Sequence, residues 1–145
     1  MTKTHFKQFS DLNIEFFESA KTSLLDPLAI DLASDVKWIK LNKKWNYLRF
    51  PVVIGGEGQP LLLLHGFDSS FLEFRRIYQS LKRNFQVIVP DLLGFGFTPR
   101  SASLEYNPSK IISHLIDILE TLQIKSNLKI IGASMGGSTA LKLAF

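Results

Sequence analysis

The stretch Gly-Ala-Ser-Met-Gly-Gly, from Gly132 to Gly137, places Ser134 in the pattern G-x-S-x-G. Residues 128–131 have the pattern of a strand and the residues after Ser134 that of a helix, so the serine falls on a strand–turn–helix. Glycine at 132 and 136 removes Cβ atoms that would collide across such a tight turn. The start of a helix also presents N–H groups that favour negative charge. We therefore predict that Ser134 is the nucleophile of an acyl-transfer site.

Acyl transfer also needs N–H donors directed at the oxygen of the tetrahedral intermediate. The backbone N–H of Met135, next to the nucleophile, is predicted to be one donor. The second is predicted to come from the loop that follows the four leucines at 61–64 and begins with His65 and Gly66. Within that loop we assign the role to the backbone N–H of Phe67.

A third motif, Asp-Leu-Leu-Gly-Phe-Gly-Phe-Thr, occupies residues 91–98 and follows a buried strand predicted over 85–89. It begins with Asp91 and contains Gly94 and Gly96. In open α/β sheets, ligands bind where the carboxyl ends of parallel strands meet. All three motifs follow predicted strands, so we expect them to lie together at one edge of a sheet.

Hydrophobic periodicity predicts the elements that must position these motifs. A helix is predicted over 11–24, and Pro27 limits its continuation. The elements predicted after it are a hairpin of strands 36–41 and 47–54, a strand over 61–64, a helix over 71–81, a strand over 85–89, a helix that begins at Asn107-Pro108, a strand over 128–131 and a helix from Ser134 onward. This order predicts an α/β fold with a mostly parallel sheet and helices on both faces.

With the three motifs in this order and on these elements, residues 35–145 resemble the N-terminal half of an α/β-hydrolase, preceded by a helical lead-in over 1–34. The motif forms are similar to those of epoxide hydrolases, haloperoxidases and C–C hydrolases, and to hydrolases of cyanobacteria and plastids. The resemblance implies that Ser134 is the nucleophile, with Phe67 and Met135 as oxyanion donors. Epoxide hydrolases have aspartate at the nucleophile position, so serine favours ester, thioester, peracid or C–C cleavage.

The resemblance also implies supporting roles. In this family the histidine of the first loop shapes that loop, and the catalytic acid and base follow the nucleophile in the chain. We therefore interpret His65 and Asp91 as residues that organise their loops. His114, beside the apolar stripe of the helix that begins at 107–108, is interpreted as a satisfied or partly exposed histidine rather than a ligand. The glycines that support the motifs are Gly66, Gly94, Gly96, Gly132 and Gly136.

No cofactor or metal is predicted. The 145 residues include no cysteine, and the three histidines lack metal-ligand spacing. The glycines of 132–137 lack the lysine of a phosphate-binding loop, and Gly94-Phe95-Gly96 is followed by proline where a dinucleotide fingerprint needs a third glycine. The expected partner is a small-molecule acyl or ester substrate.

The net charge of +4 includes five basic residues between Lys37 and Arg49, interleaved with aromatic residues and without an acid. No nucleic-acid motif accompanies them, so we interpret this segment as the solvent face and turn of a hairpin and expect no nucleic-acid partner. The N-terminus lacks the apolar stretch of a signal peptide, and the apolar run at 61–64 is too short to span a bilayer. These features predict a protein of the cytoplasm or plastid stroma, without stable membrane insertion.

The sequence ends at Phe145, whereas the triad acid and histidine of an α/β-hydrolase follow the nucleophile. We therefore expect a fold truncated after the nucleophile turn and inactive by itself. Such a truncation would expose a sheet edge, so we expect poor solubility, self-association or pairing with a complementary C-terminal half. Two functions remain open at this point. One is a fragment of a serine hydrolase that forms an acyl-enzyme at Ser134, and the other is a non-catalytic α/β-hydrolase-like binding or interaction module.

Overall fold

A computed structural model of the chain describes residues 9–144, so His5 and the last residue of the final predicted helix lie outside the described part. The helices are α1 (Phe9–Lys21), α2 (Pro27–Ser34), α3 (Arg75–Leu81), α4 (Pro108–Thr121) and α5 (Met135–Ala144). The strands are β1 (Val36–Lys40), β2 (Arg49–Gly55), β3 (Gln59–Leu64), β4 (Phe85–Pro90) and β5 (Lys129–Gly132). Two short 3-10 helices cover Lys43–Trp45 and Phe71–Phe74.

The five strands form one mixed sheet in the order β1-β2-β4-β3-β5. β1 pairs with β2 and β2 with β4 in antiparallel fashion, whereas β3 pairs in parallel with both β4 and β5. The expectation of a mostly parallel sheet therefore needs correction, because only two of the four pairings are parallel. The cause is β2, which the hairpin turn at Lys43–Trp45 reverses relative to its neighbours.

Each face of the sheet carries its own apolar core. Side chains alternate along β3, so that Leu62 and Leu64 belong to one core while Leu61 and Leu63 belong to the other. The first core includes α4 residues such as Leu115, and the second includes residues of α1, α2 and α3. This alternation explains why four leucines in a row are all buried.

Two helices begin with the same pair of signals. The side chain of Asn107 accepts the N–H of Lys110 at 3.0 Å, and Pro108 is the first residue of α4, as the sequence predicts. Asp26 accepts the N–H of Leu28 at 2.9 Å, and Pro27 begins α2 in the same way. Pro27 is thus the start of a second helix as well as a limit on the first, and the sequence interpretation missed α2.

The basic segment forms the predicted hairpin and its turn. Trp45 is buried there, and Lys44 Nζ lies 2.9 Å from a carboxylate oxygen of Asp117 on α4.

β5 lies at the edge of the sheet, where Ile131 is 45% exposed, and Leu141 on α5 is 64% exposed. Within residues 9–144, no helix is both long and apolar enough to cross a bilayer.

The environment of His114 differs from the prediction. Its imidazole is fully buried between the rings of Trp45 and Phe50, with centroid distances of 5.2 and 4.3 Å. Neither ring nitrogen has a hydrogen-bond partner among the described residues. The histidine is therefore neither satisfied nor partly exposed, because the hairpin turn folds Trp45 over α4. Burial lowers the pKa of His114 to about 3.

This burial predicts a loss of stability in acid. The unfolded chain protonates His114 near the ordinary histidine pKa of 6.5, whereas the folded chain resists protonation until the pH approaches its pKa of about 3. The contribution of the neutral ring to stability is therefore complete above pH 6.5, and it falls by about 1.4 kcal/mol per pH unit as the pH decreases within that window. Urea unfolding should show that the free energy of unfolding of the wild type, relative to that of His114→Phe, decreases as the pH falls below 6.5. A difference that is independent of pH would contradict the prediction.

Candidate active site

The turn between β5 and α5 holds Ser134 in a left-handed backbone conformation, with φ of +50°. A non-glycine residue occupies this region at a cost, so the surrounding turn must enforce it. The N–H of Gly136 donates to Ala133 O at 2.8 Å, and the N–H of Gly137 donates to Ser134 O at 2.9 Å. Ser134 is exposed, and its hydroxyl has no hydrogen-bond partner within residues 9–144.

Two glycines allow this turn to close. A Cβ at Gly132 would collide with the backbone of Gly136, and a Cβ at Gly136 would collide with the carbonyl oxygen of Leu64 at the end of β3. The N–H of Ala133 donates to the same Leu64 oxygen at 2.9 Å. The start of α5 is therefore in backbone contact with the end of β3.

This contact brings the first loop motif to the serine. A Cβ placed on Gly66 would lie 3.5 Å from Ser134 Cβ and 3.7 Å from Ala133 O. Phe67, the next residue, has a side chain that is 73% exposed, and its ring lies 5.5 Å from the ring of Phe95. The structure thus brings Gly66, Phe67 and Ser134 together, while the role of the Phe67 N–H as an oxyanion donor stays a prediction.

The other predicted donor, the N–H of Met135, belongs to the first residue of α5. An N–H in the first turn of a helix has no acceptor within the helix and is free to bind a ligand. The arrangement can therefore offer N–H donors to a negative charge from two sides of Ser134, from the helix start and from the loop after β3. The role of Met135 in catalysis also stays a prediction.

Both ring nitrogens of His65 are engaged by backbone groups. The N–H of Leu92 donates to Nε2 at 2.9 Å, so the proton of the neutral ring lies on Nδ1, which donates to Gly66 O at 2.8 Å. Burial lowers the pKa of His65 and keeps the ring neutral, while the charge of Glu73 acts in the opposite direction. These bonds connect the loop after β3 to the loop after β4, and they leave no nitrogen to serve Ser134 as a base.

Asp91 is a fully buried carboxylate at the end of β4. It accepts the backbone N–H of Phe71 at 2.6 Å and that of Phe97 at 2.7 Å. Burial raises the pKa of Asp91 to about 7, although both N–H bonds and the charge of Arg100 lower it. The side chain therefore joins the end of β4 to the backbone at Phe71 and at Phe97.

The glycines at 94 and 96 have positive φ angles of +88° and +52°. A Cβ at Gly96 would collide with the Asp91 carboxylate, so the loop can wrap around this side chain only without one. The Thr98 hydroxyl accepts the N–H of Gly94 at 3.1 Å and donates to Phe95 O at 2.7 Å. The loop is thus closed on itself around a buried carboxyl group.

Sequence reasoning missed two residues of this region. Glu73 accepts the N–H of Gly66 at 2.8 Å, although it is an exposed acid within a helical pattern and carries no signal that distinguishes it. The Asn13 side-chain amide, on α1, donates to the carbonyl oxygens of Phe97 and Thr98, each at 3.0 Å. A single polar residue within a helical pattern gives no indication of this contact.

A cavity of about 350 Å³ lies beside the nucleophile turn. Its wall is mainly apolar and is formed by residues that include Leu93, Phe95, Tyr106, Ile111 and Met135. Within the described part of the chain, no group of three His, Cys, Asp or Glu side chains is arranged to hold a metal ion. The region therefore combines an exposed serine on a strained turn, two candidate N–H donors and space for an apolar group.

The close contact of α5 with β3 predicts a position-specific effect of alanine. Gly136→Ala should destabilise the protein by at least about 3 kcal/mol, because the new methyl group meets a backbone oxygen that cannot move aside. Gly137→Ala is the matched control. Its Cβ would lie 3.3 Å from Gly132 O, and we expect a change within about 1 kcal/mol. Equal effects of the two substitutions in urea unfolding would refute this explanation.

The buried carboxylate yields a second prediction. Asp91→Asn keeps the shape of the side chain but places an NH2 group against one of two backbone N–H donors. It should therefore cost about 1–3 kcal/mol of stability at pH ~4, where the Asp91 carboxyl of the folded chain is protonated, and the cost should decrease between pH ~4 and pH ~7, because the raised pKa of about 7 makes the wild type lose stability as the pH rises. Asp68→Asn, at an exposed position with φ of +50° that asparagine tolerates, should be close to neutral. Wild-type stability of Asp91→Asn would be inconsistent with the loop contacts described above.

Known proteins resemble this chain in sequence and in fold. The family model described as alpha/beta hydrolase fold matches residues 59–144. The chain is 35% identical over 92 residues to the 2-hydroxymuconate semialdehyde hydrolase of Pseudomonas sp. (strain CF600), and the match covers 61% of this chain and 32% of that protein. It is 37% identical over 87 residues to Lipase 1 of Psychrobacter immobilis, covering 60% of this chain and 27% of the lipase.

Among solved structures, the meta-cleavage product hydrolase of Pseudomonas fluorescens IP01 is 32% identical, with a TM-score of 0.67. The superposition covers 74% of this chain and 39% of the hydrolase. The chain thus spans about a third of the length of these relatives. The family match includes all three loop motifs and more than half of the chain. This chain belongs to the α/β-hydrolase family.

Proposed function

We propose that this chain is part of a serine hydrolase that cleaves an ester, thioester or C–C bond through an acyl-enzyme at Ser134. The observation that carries the proposal is the left-handed φ of Ser134 on a strand–turn–helix, with Gly66 beside it. The strain fixes the hydroxyl at the mouth of the site rather than in the core. The similarity to a C–C hydrolase and to a lipase supports both bond types.

In the proposed reaction, Ser134 Oγ attacks the carbonyl carbon of the substrate while a base takes the hydroxyl proton. The carbonyl π electrons move to the oxygen, and the N–H groups of Phe67 and Met135 stabilise the resulting charge. When this intermediate collapses, the bond to the leaving group breaks and that group receives the proton. Water then attacks the acyl-enzyme in the same way, releases the acid and restores the serine.

The base and its orienting acid are proposed to come from residues outside the described part of the chain. His65 cannot act as the base, because one of its nitrogens accepts a backbone N–H and the other donates to Gly66 O. His114 is enclosed by Trp45 and Phe50. We therefore expect residues 1–145 alone to be nearly inactive and to need the remainder of an α/β-hydrolase, in the same chain or as a complementary half.

The substrate is proposed to be a small acyl compound with an apolar group. The cavity of about 350 Å³ beside Met135 suits such a group in size and lining. The alternative function is a non-catalytic binding module that uses the same cavity. Both functions need the cavity, and only the hydrolase needs a reactive Ser134, so the two are separated by the reactivity of that serine.

A fluorophosphonate probe distinguishes these functions, because it labels only an activated serine. We expect the full-length protein that contains this chain to be labelled, and Ser134→Ala to abolish labelling. Ser138→Ala, at an exposed position on the same helix, should remain labelled and controls for folding. Residues 1–145 alone should react at least about 100-fold more slowly, because the proposed base is missing. An unlabelled full-length protein would favour the binding module.

A further inference from the structure

We propose that Glu73 is a positioning residue for the oxyanion donor at Phe67. Its carboxylate accepts the backbone N–H of Gly66 at 2.8 Å and thereby fixes the peptide unit just before the one that carries the Phe67 N–H. The inference rests on the proposed function, because it describes how the same site is held ready for the reaction. It adds a side chain from the 3-10 helix Phe71–Phe74, whose Phe71 N–H already binds Asp91.

Gly66 is held on both sides. Glu73 Oε2 accepts its N–H, and its carbonyl oxygen accepts the Nδ1–H of His65, with both bonds at 2.8 Å. The two peptide planes that meet at Gly66 are therefore each fixed by one side chain. A glycine without such contacts would sample a wider range of backbone angles than any other residue. The two hydrogen bonds restrict the backbone angles of Gly66, as a side chain restricts those of other residues.

The orientation of the Phe67 N–H follows from this arrangement. The carbonyl of Gly66 and the N–H of Phe67 belong to the same planar peptide unit and point in opposite directions. The bond from His65 fixes that plane, and the bond to Glu73 fixes the preceding one. If Glu73 is removed, the plane before Gly66 is released, and rotation at Gly66 then strains or breaks the contact with His65.

The contact with Glu73 also determines which N–H of the loop remains available. Gly66 and Phe67 are the two residues of the loop that follow His65, and each has a backbone N–H. The first is engaged by the carboxylate, so it cannot turn toward an oxyanion at Ser134 without leaving a charged acceptor. Of these two, the N–H of Phe67 is then the one that stays available to the substrate.

The distances place this contact at the site itself. The position of a Cβ on Gly66 would lie 3.5 Å from Ser134 Cβ and 3.6 Å from Glu73 Oε2. Gly66 is therefore close to both the carboxylate and the nucleophile. Glu73 is exposed at the surface and Gly66 is buried, so the side chain extends from the rim of the site to its floor.

The test compares two substitutions of Glu73 in the full-length protein that contains this chain. Glu73→Gln keeps an oxygen that can accept the Gly66 N–H, whereas Glu73→Leu keeps the approximate size and removes the acceptor. Glu57→Leu, at another exposed glutamate, is the control for the loss of a surface charge. We measure the rate of fluorophosphonate labelling at Ser134, and kcat and KM for an ester substrate.

We expect Glu73→Leu to lower the labelling rate and kcat about 10- to 100-fold. This loss is at most equal to the smallest effect that is typical of removing an oxyanion donor, about 100-fold. KM should change less than about threefold. Glu73→Gln should recover most of the rate, and Glu57→Leu should be unchanged. A wild-type rate in Glu73→Leu overturns the proposal. An equally slow Glu73→Gln also overturns it, because the carboxylate charge rather than the accepted hydrogen bond would then be responsible.

A second readout does not depend on catalysis. The amide proton of Gly66 should resonate downfield in the NMR spectrum of the full-length protein and move upfield in Glu73→Leu, with Glu73→Gln in between. No displacement in Glu73→Leu would overturn the contact directly. If wild-type Ser134 is not labelled, the serine hydrolase function fails, and this amide shift still decides whether Glu73 orients Gly66.

Discussion

The backbone contact between the start of α5 and the end of β3 is the constraint on which the rest of the site depends. Gly136 lies against the carbonyl of Leu64, with no space for a Cβ between them. The parallel pairing of β3 with β5 places the two strand ends side by side, and the glycine lets the helix descend onto them. Ser134 meets the loop of Gly66 only because this approach is so close. The geometry of the candidate site therefore depends first on main-chain packing.

A second layer of interactions supports the loops from below. His65 connects the loop after β3 to the N–H of Leu92, and Asp91 connects the loop after β4 to the segment that leads into α3. Both side chains are fully buried and serve backbone partners. Polar groups at this depth are stable only when such partners are present. Two residue types that are common catalytic groups elsewhere are thus used here to hold the main chain.

Much of this arrangement could be predicted from the sequence where the signal is local. Asn107 and Pro108 define the start of α4, and the glycines around Ser134 define a tight turn. Contacts between residues far apart in the chain could not be predicted in this way. Burial of His114 depends on Trp45 folding over from a hairpin turn, which no periodicity within α4 reveals. The pattern over 71–81 predicts one continuous helix, whereas residues 71–74 form a 3-10 helix. The contact of Glu73 with Gly66 comes from this 3-10 helix, so the pattern did not predict it.

The side-chain amide of Asn13 joins α1 to a segment far along the chain. Its acceptors, the carbonyls of Phe97 and Thr98, follow it by 84 and 85 positions in the chain. Such a non-local contact carries a larger loop-closure entropy cost than a contact between neighbours in the chain. During synthesis on a ribosome, the residues of α1 emerge before Thr98, so this contact cannot form until Thr98 has appeared. Helix α1 therefore completes its native contacts only after a segment 84 to 85 residues further along the chain has been made.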